Sequence, residues 1–120
     1  MKKLIISLKT STQVLDDFKK AFQDAKNGNL KDHFEISFDN KRDFEKFIRN
    51  ISILRFIIHY KPHSIYELSK LLEKDISNLN KIIQFYENLG VIIIKKNMFD
   101  GREVNKPIVK YEKIEFNLAA

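Results

Sequence analysis

The chain contains no cysteine. That single absence removes disulfides, thiolate metal sites and cysteine nucleophiles, and it fits a reducing cytoplasm. Glycine is scarce too. Gly28, Gly90 and Gly101 lie too far apart to build a phosphate-cradling loop, and no Gly-x-Ser-x-Gly motif occurs. Long apolar runs are also missing. The amino-terminal stretch MKKLIISLKT has the basic start of a signal peptide, but Ser7 and Lys9 break its apolar run. What remains is too short for a secretory core or a membrane span, so a soluble cytoplasmic chain with no membrane partner is expected.

Metal and acid–base chemistry lack the necessary groupings. His33, His59 and His63 form no metal signature, since Pro62 interrupts the one pair at helical spacing. Asp16 and Asp17 are adjacent and point to different faces of a helix, so they are not a catalytic pair. No catalytic residue, no metal and no cofactor is expected, and the chain reads as a non-enzyme.

What is present is an ordinary core and an uneven charge. The 120 residues are 43% hydrophobic and 32% charged, enough to fold around one real core. The formal net charge is +6. Residues 1–40 carry seven Lys against six acids, whereas residues 41–120 carry fifteen Lys or Arg against ten. The excess therefore belongs to the carboxy-terminal two thirds. A basic balance favours a polyanionic partner, although a lysine-rich solvated face has the same composition.

Residues 3–9 place Leu4, Ile6 and Leu8 on one face, the pattern of a strand. Ser11 or Thr12 can cap a helix in which Val14, Leu15, Phe18, Ala21, Phe22 and Ala25 recur at helical spacing, and Asn27-Gly28 ends it. Phe34, Ile36 and Phe38 alternate with polar residues, a second strand. Asp39-Asn40 can cap the next helix, expected to run to about Tyr60. Its apolar residues, from Phe44 and Phe47 to Ile57 and Ile58, cover a wide stripe, the expected central helix and a candidate dimer element.

Pro62 disfavours helical backbone before it and so ends that helix. Ser64-Ile65-Tyr66-Glu67 has the form of a capping box, and Ile65, Leu68, Leu71 and Leu72 supply a buried face. Glu73-Lys74-Asp75 is a turn with Asp75 as the next N-cap. The helix 75–89 is expected to bury Ile76, Leu79, Ile82 or Ile83, Tyr86 and Leu89, and to stop at Gly90 with positive φ. Val91–Ile94 then reads as a strand. Asp100-Gly101 is the strongest hairpin signal in the chain, and Pro107–Tyr111 returns antiparallel. Glu112–Leu118 either extends that strand or forms another.

Helix, turn, helix, glycine, hairpin is the order of a winged helix-turn-helix. The fold class expected is α+β, with an N-terminal strand-helix-strand extension over 1–39, for dimerisation or partner binding, and a winged helix-turn-helix domain over 40–120. A recognition helix needs small polar groups near its start, where it meets base edges. Ser77 and Asn78 provide them, and Asn can pair bidentately with adenine. Lys81 is one turn on, within reach of a phosphate or guanine, and Gln84 and Asn88 lie farther along the same face. Lys95, Lys96, Arg102 and Lys106 make the 95–107 wing basic, as phosphate contacts or minor-groove insertion require. The competing reading is a lysine-blunted sheet edge. Most of the aromatics sit at core spacing, with Phe99 at the hairpin tip the exception.

Residues 62–94 resemble the winged helix-turn-helix transcriptional regulators of bacteria and archaea, loosely the MarR-like and ArsR-like group. The matching strings are Ser64-Ile-Tyr-Glu67-Leu68-Ser69, Lys74-Asp75-Ile-Ser-Asn-Leu79 and Tyr86-Glu87-Asn-Leu89-Gly90-Val91-Ile92. Lys74 stands where the group usually has Arg, and Asn80-Lys81 where it often has His-Arg; phosphate binding should survive both changes. The resemblance implies a sequence-specific repressor that binds double-stranded DNA; a homodimer is expected because one module buries little surface and palindromic half-sites multiply specificity. The contact set is then Ser64, Lys74, Ser77, Asn78, Lys81, Gln84, Lys95, Lys96, Arg102 and Lys106. An alternative that it also implies is an antitoxin, binding a co-encoded toxin and autoregulating its operon.

Overall fold

A computed structural model describes residues 2–8 and 33–117. The helix expected over 14–25, its caps and the Asp16-Asp17 pair lie outside the described residues, as does Leu118. In chain order the described elements are β1 (Lys3–Leu8), β2 (His33–Phe38), α1 (Lys41–Arg49), α2 (Ile51–Tyr60), α3 (Ile65–Leu72), α4 (Ile76–Asn88), β3 (Ile92–Phe99), β4 (Arg102–Val109) and β5 (Lys113–Asn117). The architecture is α+β with two small sheets. Contacts divide the chain into Met1–Lys46 with Tyr111–Ala120, and Phe47–Lys110. This differs from the expected boundary between 39 and 40. The division falls inside α1, and the carboxy-terminal strand returns to the first unit.

The first unit holds a three-stranded parallel sheet in the order β2-β1-β5. The central strand, β1, is flanked on both edges. Leu4 and Ile6 are fully buried. The expected inward face continued to Leu8, but Leu8 is exposed and Ser7 is buried instead. Its hydroxyl lies 3.2 Å from that of Ser37, its register partner on β2, so the buried Ser7 oxygen has a partner. Phe44, at the start of α1, meets Phe38 of β2 and Phe116 of β5 edge-on, at 6.0 and 6.3 Å. The choice left open for 112–118 is resolved in favour of a separate strand: β5 pairs with β1, not with the hairpin.

Asn40 caps α1, its Oδ1 accepting from the Asp43 N–H at 2.9 Å. The single helix expected to reach Tyr60 is interrupted at Asn50, where φ is −105° and ψ is 10°. Asparagine is a weak helix former because its amide competes for local main-chain groups, and here α2 starts afresh beyond it. Ile53, Leu54 and Ile57 bury one side of α2, while Ile48 and Ile58 remain exposed, so the wide apolar stripe is covered only in part. At the other end Lys61 takes a left-handed conformation (φ 48°) ahead of the buried Pro62.

In the second unit α3 packs on α4, α4 on β3, and both α2 and α3 on β4. Phe47, Leu54, Leu68, Leu79, Ile83, Tyr86 and Ile92 form its core. Complete burial of one such side chain contributes roughly 1.5–3 kcal/mol. Ile76 was expected in this core but is 40% exposed. As the first helical residue it precedes the turn of α4 that turns inward, and Leu79 is the first fully buried residue.

Candidate nucleic-acid interface

The connection between α3 and α4 is short because both of its ends are capped locally. Glu73 adopts φ 52° and the Lys74 N–H returns to the Ser69 carbonyl at 3.0 Å, which closes α3. Two residues on, the Asp75 carboxylate accepts from the Asn78 N–H at 3.2 Å and opens α4. The turn expected over 73–75 and its N-cap are therefore present as drawn from the sequence. Gly90, with φ 81°, ends α4, and the Val91 N–H bonds back to the Tyr86 carbonyl at 2.9 Å. The strand β3 begins at the next residue.

These caps set the rotation of α4. Leu79, Ile83 and Tyr86 point inward and are all but completely buried. Ser77, Asn78, Lys81, Gln84 and Asn88 are all exposed, as is Asn80. The expected division of the helix into an apolar and a polar face thus holds, Ile76 excepted. The exposed face offers hydroxyl and amide groups that donate and accept, and one cation, near the start of a helix.

The hairpin is closed by Asp100 and Gly101, both with positive φ (52° and 73°), the geometry of a two-residue turn matching strand twist. Eight residue pairs follow in register from Phe99–Arg102 to Ile92–Val109. Lys95 stands directly opposite Lys106, an arrangement that repels unless an anion lies near. Lys95, Lys96 and Arg102 are exposed and Lys106 is half-buried. Lys96 is partly neutralised, its ammonium 3.3 Å from the Glu103 carboxylate. Screening makes this exposed pair weak, and it can yield to a phosphate.

One residue of the expected contact set plays a different part. Ser64 is only 8% exposed, and its hydroxyl oxygen accepts from the Glu67 N–H at 3.0 Å. It serves as the N-cap of α3. The reciprocal arm of the capping box is not used: the Glu67 carboxylate turns to the His63 ring, 3.2 Å from Nδ1. Lys74, by contrast, is exposed in the turn ahead of α4.

His63, which belongs to no metal signature, has a structural role. Its ring stacks on Phe99 at 4.2 Å and 14°, so the hairpin tip is held against the start of α3. The i,i+4 spacing of His63 and Glu67 was the one visible signal; the stacking partner, 36 positions away, gave none. Among the described residues no group of His, Asp and Glu could hold a metal ion, and no helix is long and apolar enough to cross a membrane.

No curated protein and no solved structure matches the chain. The family HVO_A0114 matches over residues 48–116, more than half of the sequence, a span running from the last turn of α1 through α4 and the hairpin into β5, and the chain belongs to that family.

Proposed function

We propose that the protein is a winged helix-turn-helix regulator that binds double-stranded DNA, acting as a homodimeric repressor. In this reading α4 enters the major groove, with Ser77 and Asn78 at base edges and Lys81 and Gln84 farther along the groove. Lys74 contacts phosphate from the turn. Lys95, Lys96, Arg102 and Lys106 bring the β3–β4 hairpin to the flanking backbone or minor groove. No catalytic step belongs to this role.

One observation carries the reading. A helix preceded by a three-residue capped turn and followed at once by a cationic hairpin exposes its whole polar face while burying the opposite one. The like-charged Lys95–Lys106 pair adds to it, since such a pair is stabilised by polyanion contact. A dimer follows from the small surface that one such module buries on DNA and from the specificity that paired half-sites add.

Selection from a random-sequence duplex pool, followed by sequencing of the retained DNA, tests the proposal. The expected result is one enriched motif with two-fold symmetry, its half-sites about 10 base pairs apart or a multiple of that. Equal retention of all sequences, vanishing at physiological salt, would overturn it.

A further inference from the structure

The second unit contains a cleft in which Lys106 is the one residue that also belongs to the proposed DNA contacts. It has a volume of about 280 Å³ and lies between the end of α2 and the return strand β4. Ile57, Ile58, Pro107 and Ile108 form its apolar wall, and Lys61 and Lys106 line it with them. This is just below the about 300 Å³ at which pockets for drug-sized ligands begin, a size for a smaller molecule.

Three features limit what can enter. First, neither Lys61 nor Lys106 has a carboxylate within ion-pair distance among the described residues. The cleft therefore couples an apolar wall to two uncompensated cations, with Lys95 across the strand from one of them. Lysine stems can extend such a wall while their ammonium groups turn to its polar end.

Second, the strand edge that borders the cleft is blocked. In a two-residue hairpin the Phe99–Arg102 pair exchanges hydrogen bonds, and alternate pairs follow suit. Counting along the register, Lys95–Lys106 and Ile93–Ile108 bond inward, whereas Pro107 directs its main-chain nitrogen outward. Proline has no N–H to offer there, so an added peptide strand would lose a ladder bond at the centre of the cleft. Third, the wall offers no side-chain acceptor for a ligand's donors; the only charged groups are cationic.

From these features we infer that the cleft is a binding site for a small amphipathic monocarboxylate, its hydrocarbon part against Ile57, Ile58 and Ile108 and its carboxylate between Lys61 and Lys106. This inference stands apart from the DNA reading, because the ligand is bound by the free protein. Lys106 would be shared between the two roles.

The test is an NMR titration of the isotopically labelled full chain with sodium octanoate, octan-1-ol and sodium acetate. Octanoate should give saturable amide shifts confined to 57–61, 106, 108 and 109, with octan-1-ol weaker at the same residues and acetate without effect. The variant K61M/K106M keeps both stems and removes both charges. It should weaken octanoate about tenfold or more, the scale of a lost charge-assisted contact, and leave octan-1-ol unchanged. The single variant I57A should weaken octanoate and octan-1-ol alike. Equal affinity for octanoate and octan-1-ol, shifts centred elsewhere, or octanoate binding that K61M/K106M leaves intact while its spectrum remains folded would each overturn the inference.

Discussion

The hydroxyl of Tyr86 donates a 2.6 Å hydrogen bond to the main-chain carbonyl of Phe47, and the two rings meet edge-on at 5.1 Å. Both residues are fully buried. The contact ties the last turn of α4 to the end of α1, so it fixes the helix that carries the exposed polar face. Burial pushes the Tyr86 phenol well above its ordinary value of 10.0.

Tyr86→Phe should therefore destabilise the fold by about 1–3 kcal/mol, because the Phe47 carbonyl loses its buried donor. A pH dependence follows from the raised value. The folded state favours the neutral phenol, so its contribution is complete below pH 10.0 and declines as pH rises above it toward the folded-state value. Denaturant melts at pH 9 and pH 11 should show a fall in stability for the parent chain that Tyr86→Phe shows to a smaller extent. Parallel losses in both would sink the assignment.

Asn78 and Lys95 should separate under the proposed function. Asn78→Ala should relax preference at one base pair by about 1–3 kcal/mol, with little effect on random DNA. Lys95→Ala should weaken all sequences alike and lower the salt slope by about one phosphate contact. Fluorescence anisotropy on matched and random duplexes across a salt series distinguishes them; the same pattern for both variants would contradict these roles.

Ser64→Ala and Asp75→Ala should each cost about 1 kcal/mol through loss of a helix cap, measured by thermal or urea unfolding. At Ser64 the loss should appear in stability alone, with the salt slope of DNA binding unchanged, since its hydroxyl is buried against the Glu67 N–H. A flattened slope for Ser64→Ala would restore it to the contact set.

Gly101→Ala should destabilise by about 1–2 kcal/mol through its φ of 73°, because a β-carbon there meets open space and sterics outside the residue play no part. Gly101→Asn should recover much of that loss, since asparagine tolerates the left-handed region. Urea midpoints that rank Ala above Asn would refute the conformational explanation.

The features that the sequence determined by itself are those whose cause lies within about four residues. Asp100-Gly101 forces its turn through positive φ, Asp75 caps α4 through the amide three residues on, and Gly90 stops it. The spacing of Leu79, Ile83 and Tyr86 sets which side chains of α4 face outward. Each is local stereochemistry or helical period, so the polar face of the candidate interface is legible in the sequence.

Only the tertiary structure decided the pairings between distant segments. Lys113 of β5 aligns with Lys3 of β1, and no periodicity in either strand encodes that partnership. Once β1 occupies the centre of a parallel sheet, Ser7 is buried in place of Leu8, and Ser37 supplies the hydroxyl it needs. The stacking of His63 on Phe99 and the bond from Tyr86 to Phe47 have the same origin. Hydrogen bonds and apolar burial reward proximity in space, and a linear pattern records proximity only where the chain's own helical or strand repeat creates it.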